Sequence, residues 1–185
     1  MPWLDFASGG DLHEPSGFRC NGPAMSNIES RLHALGLVLP PAFVPPPGMV
    51  LPFVNVRIIG NRAVIARHGP QSPEGPLAKP LGKVGRELTL EQGFGAARLT
   101  ALSMLGSLTR ALGDLDRISR WVRIFGMVNS APGFVQQPAI INGFSELILE
   151  LWGPEAGAHA RSAVGMAELP FGMPVEIEGE VAISA

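Results

Sequence analysis

Two charged residues near the end of this 185-residue chain stand where side chains could do chemistry. Arg161 heads the apolar stretch "HARSAVGMAELP", and Glu176 opens the acidic stripe of "VEIEGEVAIS". A guanidinium is a rigid fork that holds a carboxylate through two parallel hydrogen bonds, which lysine cannot do. The competing reading of Arg161 is a strand-end arginine that snorkels its charge into water. In the second stretch, alternation puts Glu176, Glu178 and Glu180 on one face and Val175, Ile177 and Val181 on the other. Glu178 and Glu180 read as a solvated face. Glu176, nearest the preceding turn, is the candidate for acid–base work.

The spacing of the two residues constrains how they meet. Alternation and turn chemistry predict strands at about 161–168 and 174–183, joined by "LPFGMP". If these form a hairpin turning near Phe171-Gly172, an offset of some six residues separates Arg161 from Glu176 by roughly 20 Å. Within one hairpin they could not share a site, so a shared site requires a subunit boundary.

The remaining elements must carry these strands. Residues 1–24 are rich in Gly, Ser, Pro and Asp without periodicity and read as a disordered tail. The contrast at Met25 points to a natural start there, with the upstream residues a gene-model extension. Residues 25–50 read as a short helix, opened by the capping box Ser26/Glu29, followed by the stiff proline-rich arm "LPPAFVPPPGMVLP". The main domain is expected over 51–185. "FVNVRIIGNRAVIAR" predicts two strands around a Gly60-Asn61 turn, and 69–87 is a long Gly/Pro loop. A second capping box, Thr89/Gln92, opens a helix to about Leu112 with Gly113 after it. Its small residues Gly93, Ala96, Ala97, Thr100 and Ala101 permit close approach to a sheet. "DRISRWVRIFGMVNS" reads as a central strand. A further helix begins near Pro138 and stops at Gly153-Pro154. The order β-β-α-β-α-β-β predicts an α+β domain: one mixed sheet with two helices on one face. The other face then needs cover, and the apolar composition points to another subunit.

Composition excludes several classes. With 46% hydrophobic and 16% charged residues and a net charge of −2, the chain lacks the basic surface of a nucleic-acid binder. One cysteine, Cys20, excludes a disulfide framework and accords with a cytoplasmic location. His13, His33, His68 and His159 show no metal-ligand spacing, so no metal is expected. No apolar run has membrane-spanning length. "GFGAAR" is an incomplete glycine motif that packing explains better than a dinucleotide.

The stretch "ARSAVGMAELPFGMPVEIEGEVAI" resembles the C-terminal signature of the Rid (reactive intermediate deaminase) proteins, also called endoribonuclease L-PSP. The signature runs through Arg161, Ser162, Val164, Leu169, Pro170, Val175, Glu176, Ile177 and Glu178. "GKVGRELTLEQG" and "GDLDRISRWVRIFGMVNSAPGFVQQPAIINGFSELILELWG" look like a less characterised subgroup, and the resemblance covers about residues 26–184. It implies a chorismate-mutase-like subunit in a homotrimer, with sheets forming a central barrel and ligand clefts between neighbours. It also implies hydrolysis of small 2-enamino or 2-imino carboxylates to 2-keto acids and ammonia, without a cofactor. Arg161 falls on the carboxylate-holding position and Glu176 on the acidic position that handles water. Two positions depart from the pattern. Phe53, expected to line the substrate, stands where a first-strand tyrosine is usual, in a chain with no tyrosine, and Ala66-Arg67-His68 replaces S-G-Q. His68 is then either a replacement donor or base at the substrate, or a surface histidine. The departures keep a second reading open, a non-catalytic trimer binding a small carboxylate metabolite. Ribonuclease activity ranks last, for want of a His pair or a basic groove.

Overall fold

The computed structural model describes residues 27–184. The expected tail over 1–24, the start at Met25 and the Ser26 cap lie outside them. Helix α1 spans Asn27–Ala34. Its first amides, of Asn27 and Ile28, donate to the carboxylate of Asp116, at 2.7 and 3.0 Å, so an acid distant in sequence satisfies the helix start. The proline-rich arm follows as irregular chain.

Strands β1 (Val56–Ile59) and β2 (Arg62–His68) form the expected hairpin. Gly60 turns it with φ of 57°, a value that suits a residue without a β-carbon. After the 69–87 loop, α2 runs from Leu90 to Leu112. Thr89 and Gln92 complete the capping box reciprocally, and Gly113 ends the helix in left-handed conformation. Strand β3 covers Ile118–Asn129, and α3 covers Gln137–Ala156 with a break at Gly153. Strands β4 (Ala160–Met166) and β5 (Val175–Ile183) complete the chain.

The sheet order is β1-β2-β5-β3-β4. Strand β5 is antiparallel to both β2 and β3, while β4 runs parallel to β3 at the edge. The hairpin expected between β4 and β5 is therefore absent. Residues 167–174 instead carry the chain past the end of β3. Three contacts fix this crossing: Pro174 O accepts from Asn129 N, Met173 O accepts from Asn129 Nδ2, and Ala167 O accepts from Lys83 Nζ. Lys83 Nζ also meets Asn129 Oδ1 at 3.0 Å and Glu168 at 2.9 Å.

Helices α2 and α3 pack on one face of the sheet, giving the α+β architecture expected. Ile65, Ile124, Val128, Val175, Ile177 and Val181 point into that core and are fully or nearly fully buried. Trp121 meets Phe144 edge-on, with ring centroids 5.7 Å apart. Close approach at Gly93 is to α3 rather than to the sheet, because a β-carbon there would lie 2.8 Å from Ile140. Across the sheet, Ile59 and Val64 leave apolar surface exposed. No described helix is long and apolar enough to cross a membrane.

Candidate functional site

Arg161 sits on the edge strand β4, opposite Ile124 of β3. Its side chain leans to the helix side and reaches α3. There Nη1 donates to Asn142 Oδ1 at 2.8 Å and to Ser145 Oγ at 3.1 Å. Asn142 and Ser145 are three apart, so they share one helix face and hold the two hydrogens of one nitrogen. The Nε and Nη2 hydrogens remain as a side-on fork for an incoming carboxylate. Both braces are neutral, and no ion pair forms at Arg161 among the described residues. The positive charge is therefore uncompensated locally. Behind the brace, Ser145 Oγ contacts His159 Nε2 at 3.0 Å, and His159 Nδ1 donates to Gly157 O at 2.7 Å.

Glu176 lies on the central strand β5 and faces the other side of the sheet, opposite Met127. The residue is only 6% exposed, and its Oε2 has no hydrogen-bond partner among the described residues. Arg67 Nη1 stands 3.6 Å from that oxygen, close enough for attraction but too long for a hydrogen bond. Burial pushes the Glu176 carboxyl above the usual glutamate range. Arg67 pulls it down, and Glu178 pushes it up further. A carboxyl tuned upward in this way holds a proton more tightly than an ordinary glutamate, which suits a group that takes and returns one. Sequence reasoning missed Arg67. A bulge in β2 aims it, since the step from Ile65 to His68 faces only the step from Gly179 to Ile177. The replaced triplet Ala66-Arg67-His68 was the one available signal, and it pointed to the wrong member. Glu180 is half-exposed and pairs with Arg62 at 2.7 Å, and Glu178 is half-exposed, as a solvated stripe requires.

One protomer does not bring Arg161 and Glu176 together. Their register partners on β3 are Ile124 and Met127, and β3 lies between their strands. Two strand spacings and three residue steps put their backbones roughly 14 Å apart, with side chains on opposite faces. The 20 Å hairpin offset is thus replaced by a different geometry with the same consequence.

The other two expected contacts fall elsewhere. His68 is neither a surface histidine nor beside Glu176. It is 7% exposed on the helix side, with Nδ1 donating to Ala66 O at 2.7 Å and Nε2 bound to Ser107 Oγ at 2.8 Å. Burial, and secondarily Arg110, keep its pKa low. Phe53 lies three residues before β1 rather than within it, and is 55% exposed. No cluster of three or more His, Cys, Asp or Glu gathers as a metal site among the described residues.

Residues 29–175 match the family described as "YjgF/chorismate_mutase-like, putative endoribonuclease". The chain belongs to this family. Protein TCP17 of Trypanosoma cruzi is a YjgF-family relative at 37% identity over 161 residues, covering 87% of this chain and 97% of that protein. A crystal structure of the Agrobacterium tumefaciens protein Atu1372, of unknown function, matches at 40% identity with a TM-score of 0.76, covering 85% of this chain and 93% of that one. A Shewanella oneidensis structure described as "a putative endoribonuclease" matches at 29% identity and TM-score 0.75, covering 84% and 99%. The YjgF-family match includes Arg161 and ends one residue before Glu176.

Proposed function

We propose that the protein hydrolyses small 2-imino and 2-enamino carboxylates at sites shared between protomers of a homotrimer. Arg161 of one protomer holds the substrate carboxylate through its Nε/Nη2 edge, and Glu176 of a neighbour handles water. Water adds across the carbon–nitrogen double bond of the iminium. The carboxyl takes a proton from that water and returns it to nitrogen, and ammonia departs as the 2-keto acid forms. An iminium is already electrophilic, so orientation and one proton carrier suffice.

The observation that carries this reading is Glu176: a buried carboxyl on a central strand with an oxygen to which none of the described residues donates. Buried polar atoms are rarely left unsatisfied without a functional reason. Supporting it, Arg161 is held in place by neutral groups and keeps its ligand edge free. The test is complementation. Arg161→Ala and Glu176→Gln are each expected to be inactive alone on 2-iminopropionate. Co-folding the two should recover part of the ammonia release, because mixed oligomers contain boundaries with both native residues. Mixtures as inactive as their components would refute the shared site.

A second reading, a non-catalytic binder of a small carboxylate, is favoured by Arg67, whose charge beside Glu176 suits anion binding. Calorimetry with 2-keto acids, together with no ammonia release from imines, would establish it. Ribonucleolysis finds little support: of the described histidines, His68 and His159 have both ring nitrogens engaged, and His33 lies exposed on α1 away from both strands of the candidate site.

A further inference from the structure

The contacts behind Arg161 form a hydrogen-bond chain with a fixed direction. Gly157 O can only accept, so Nδ1 of His159 carries the hydrogen. In the neutral ring Nε2 is then an acceptor, and Ser145 must donate its single hydrogen to it. The lone pairs of Ser145 Oγ are left for Arg161 Nη1. Donation thus runs from Arg161 to Ser145, to His159, to the backbone.

The same chain occurs a second time in the fold. Arg110 Nη2 donates to Ser107 Oγ at 3.0 Å, Ser107 meets His68 Nε2 at 2.8 Å, and His68 Nδ1 donates to Ala66 O two residues before it. His159 likewise binds the carbonyl two residues before it. The two chains differ at the arginine. Arg110 spends Nη1 on Pro40 O, so both its terminal nitrogens bind protein groups. Arg161 turns its remaining donors to the surface.

We propose that Ser145 and His159 are positioning residues for the Arg161 carboxylate anchor, effective while His159 is neutral. This rests on the proposed function for the identity of the ligand, but the relay itself does not. Protonated His159 would present Nε2–H to Ser145, which already receives a hydrogen from Arg161. The serine hydrogen would lose its acceptor, and a second cation would stand beside the guanidinium. The His159 ring packs against Trp121 of β3 and Phe144 of α3, with Ser145 on α3 and Arg161 on its own strand. Of these groups Arg161 alone is charged. Burial and then Arg161 keep the His159 pKa below its ordinary value, so the relay is intact at neutral pH and opens on acidification.

The test is nitrogen-15 NMR of histidine and arginine side chains between pH 4.5 and 7.5, with pyruvate titrations alongside. The wild type is expected to show the Nδ1–H tautomer of His159. The Arg161 side-chain resonance should move in step with His159 titration, and pyruvate binding should weaken through the same pH range. In Ser145→Ala the Arg161 resonance should no longer follow His159, and pyruvate binding should be weaker at pH 7.5. Ser107→Ala, which breaks only the Arg110 chain, should leave the Arg161–His159 coupling intact. An Nε2–H tautomer at pH 7.5, or an Arg161 signal unmoved while His159 titrates, would overturn the relay. Intact NMR coupling without pyruvate binding would uphold the relay and count against the carboxylate reading instead.

Discussion

Replacing Arg161 tests the anchor with a magnitude that the geometry supplies. Two hydrogens of its guanidinium are committed to Asn142 and Ser145, which leaves one edge for a bidentate carboxylate. Charge-assisted hydrogen bonds contribute about 1.5–3 kcal/mol each, so losing both removes about 3–6 kcal/mol. At 1.36 kcal/mol per decade, kcat/KM should fall roughly 10²–10⁴-fold in Arg161→Ala. Arg161→Lys keeps a cation but no fork and should lie between the two. Stability is a separate matter. The side chain is exposed, and water can solvate both braces once it is gone, so the ΔG of unfolding should stay within about 0.5 kcal/mol of wild type. The assay is 2-iminopropionate generated in situ, with pyruvate and ammonia followed together and melting curves measured on the same samples. A fall in kcat/KM of less than about tenfold in the alanine variant would refute the anchor.

Further outcomes follow from the other contacts. Glu176→Gln should raise Tm relative to wild type at pH 7 but not below pH 4.5, the ordinary glutamate value. The sign follows from the raised carboxyl: its favourable contribution is complete at low pH and lost as pH rises through its folded value, a loss glutamine does not suffer. Arg67→Ala removes the cation that holds this carboxyl down, so the limb of the pH–rate profile governed by Glu176 should move to higher pH. An unmoved limb would separate Arg67 from the chemistry. In Gly143→Ala the new β-carbon would lie 2.1 Å from the Phe94 carbonyl oxygen, forcing α2 and α3 apart. Overpacking of about 1–3 kcal/mol should lower Tm by roughly 2–12 °C, measurable by calorimetry.

Local features were legible in the sequence and pairing was not. The Thr89/Gln92 box, Gly113 and the Gly60 turn each act within a few residues, so residue types alone determine them. Alternation likewise gave the face of each residue in β5. It did not give that strand's neighbours, because a period of two says nothing about which edge is adjacent. "LPFGMP" looked like a hairpin turn, whereas Asn129 and Lys83 draw it across the end of β3. Arg67 was missed because its aim depends on a bulge defined against β5. His68 was misplaced because its partner Ser107 comes from a helix that only the tertiary fold lays beside it.

The strand order also has a consequence for how the protein is made. Strand β5 is the last of the five to leave the ribosome, yet it fills the middle of the sheet, between β2 and β3. Until it arrives, the nascent chain carries two unpaired inner strand edges and two helices whose apolar faces have no continuous sheet beneath them. Its pairing partner Ala63 is separated from Val181 by most of the domain, the kind of distant contact that forms slowly. A ribosome stalled before residue 175 should therefore display a sticky, incomplete sheet, a substrate for chaperones. Docking of β5 closes that gap in the same step that places Glu176, so the finished sheet and the candidate site arise together.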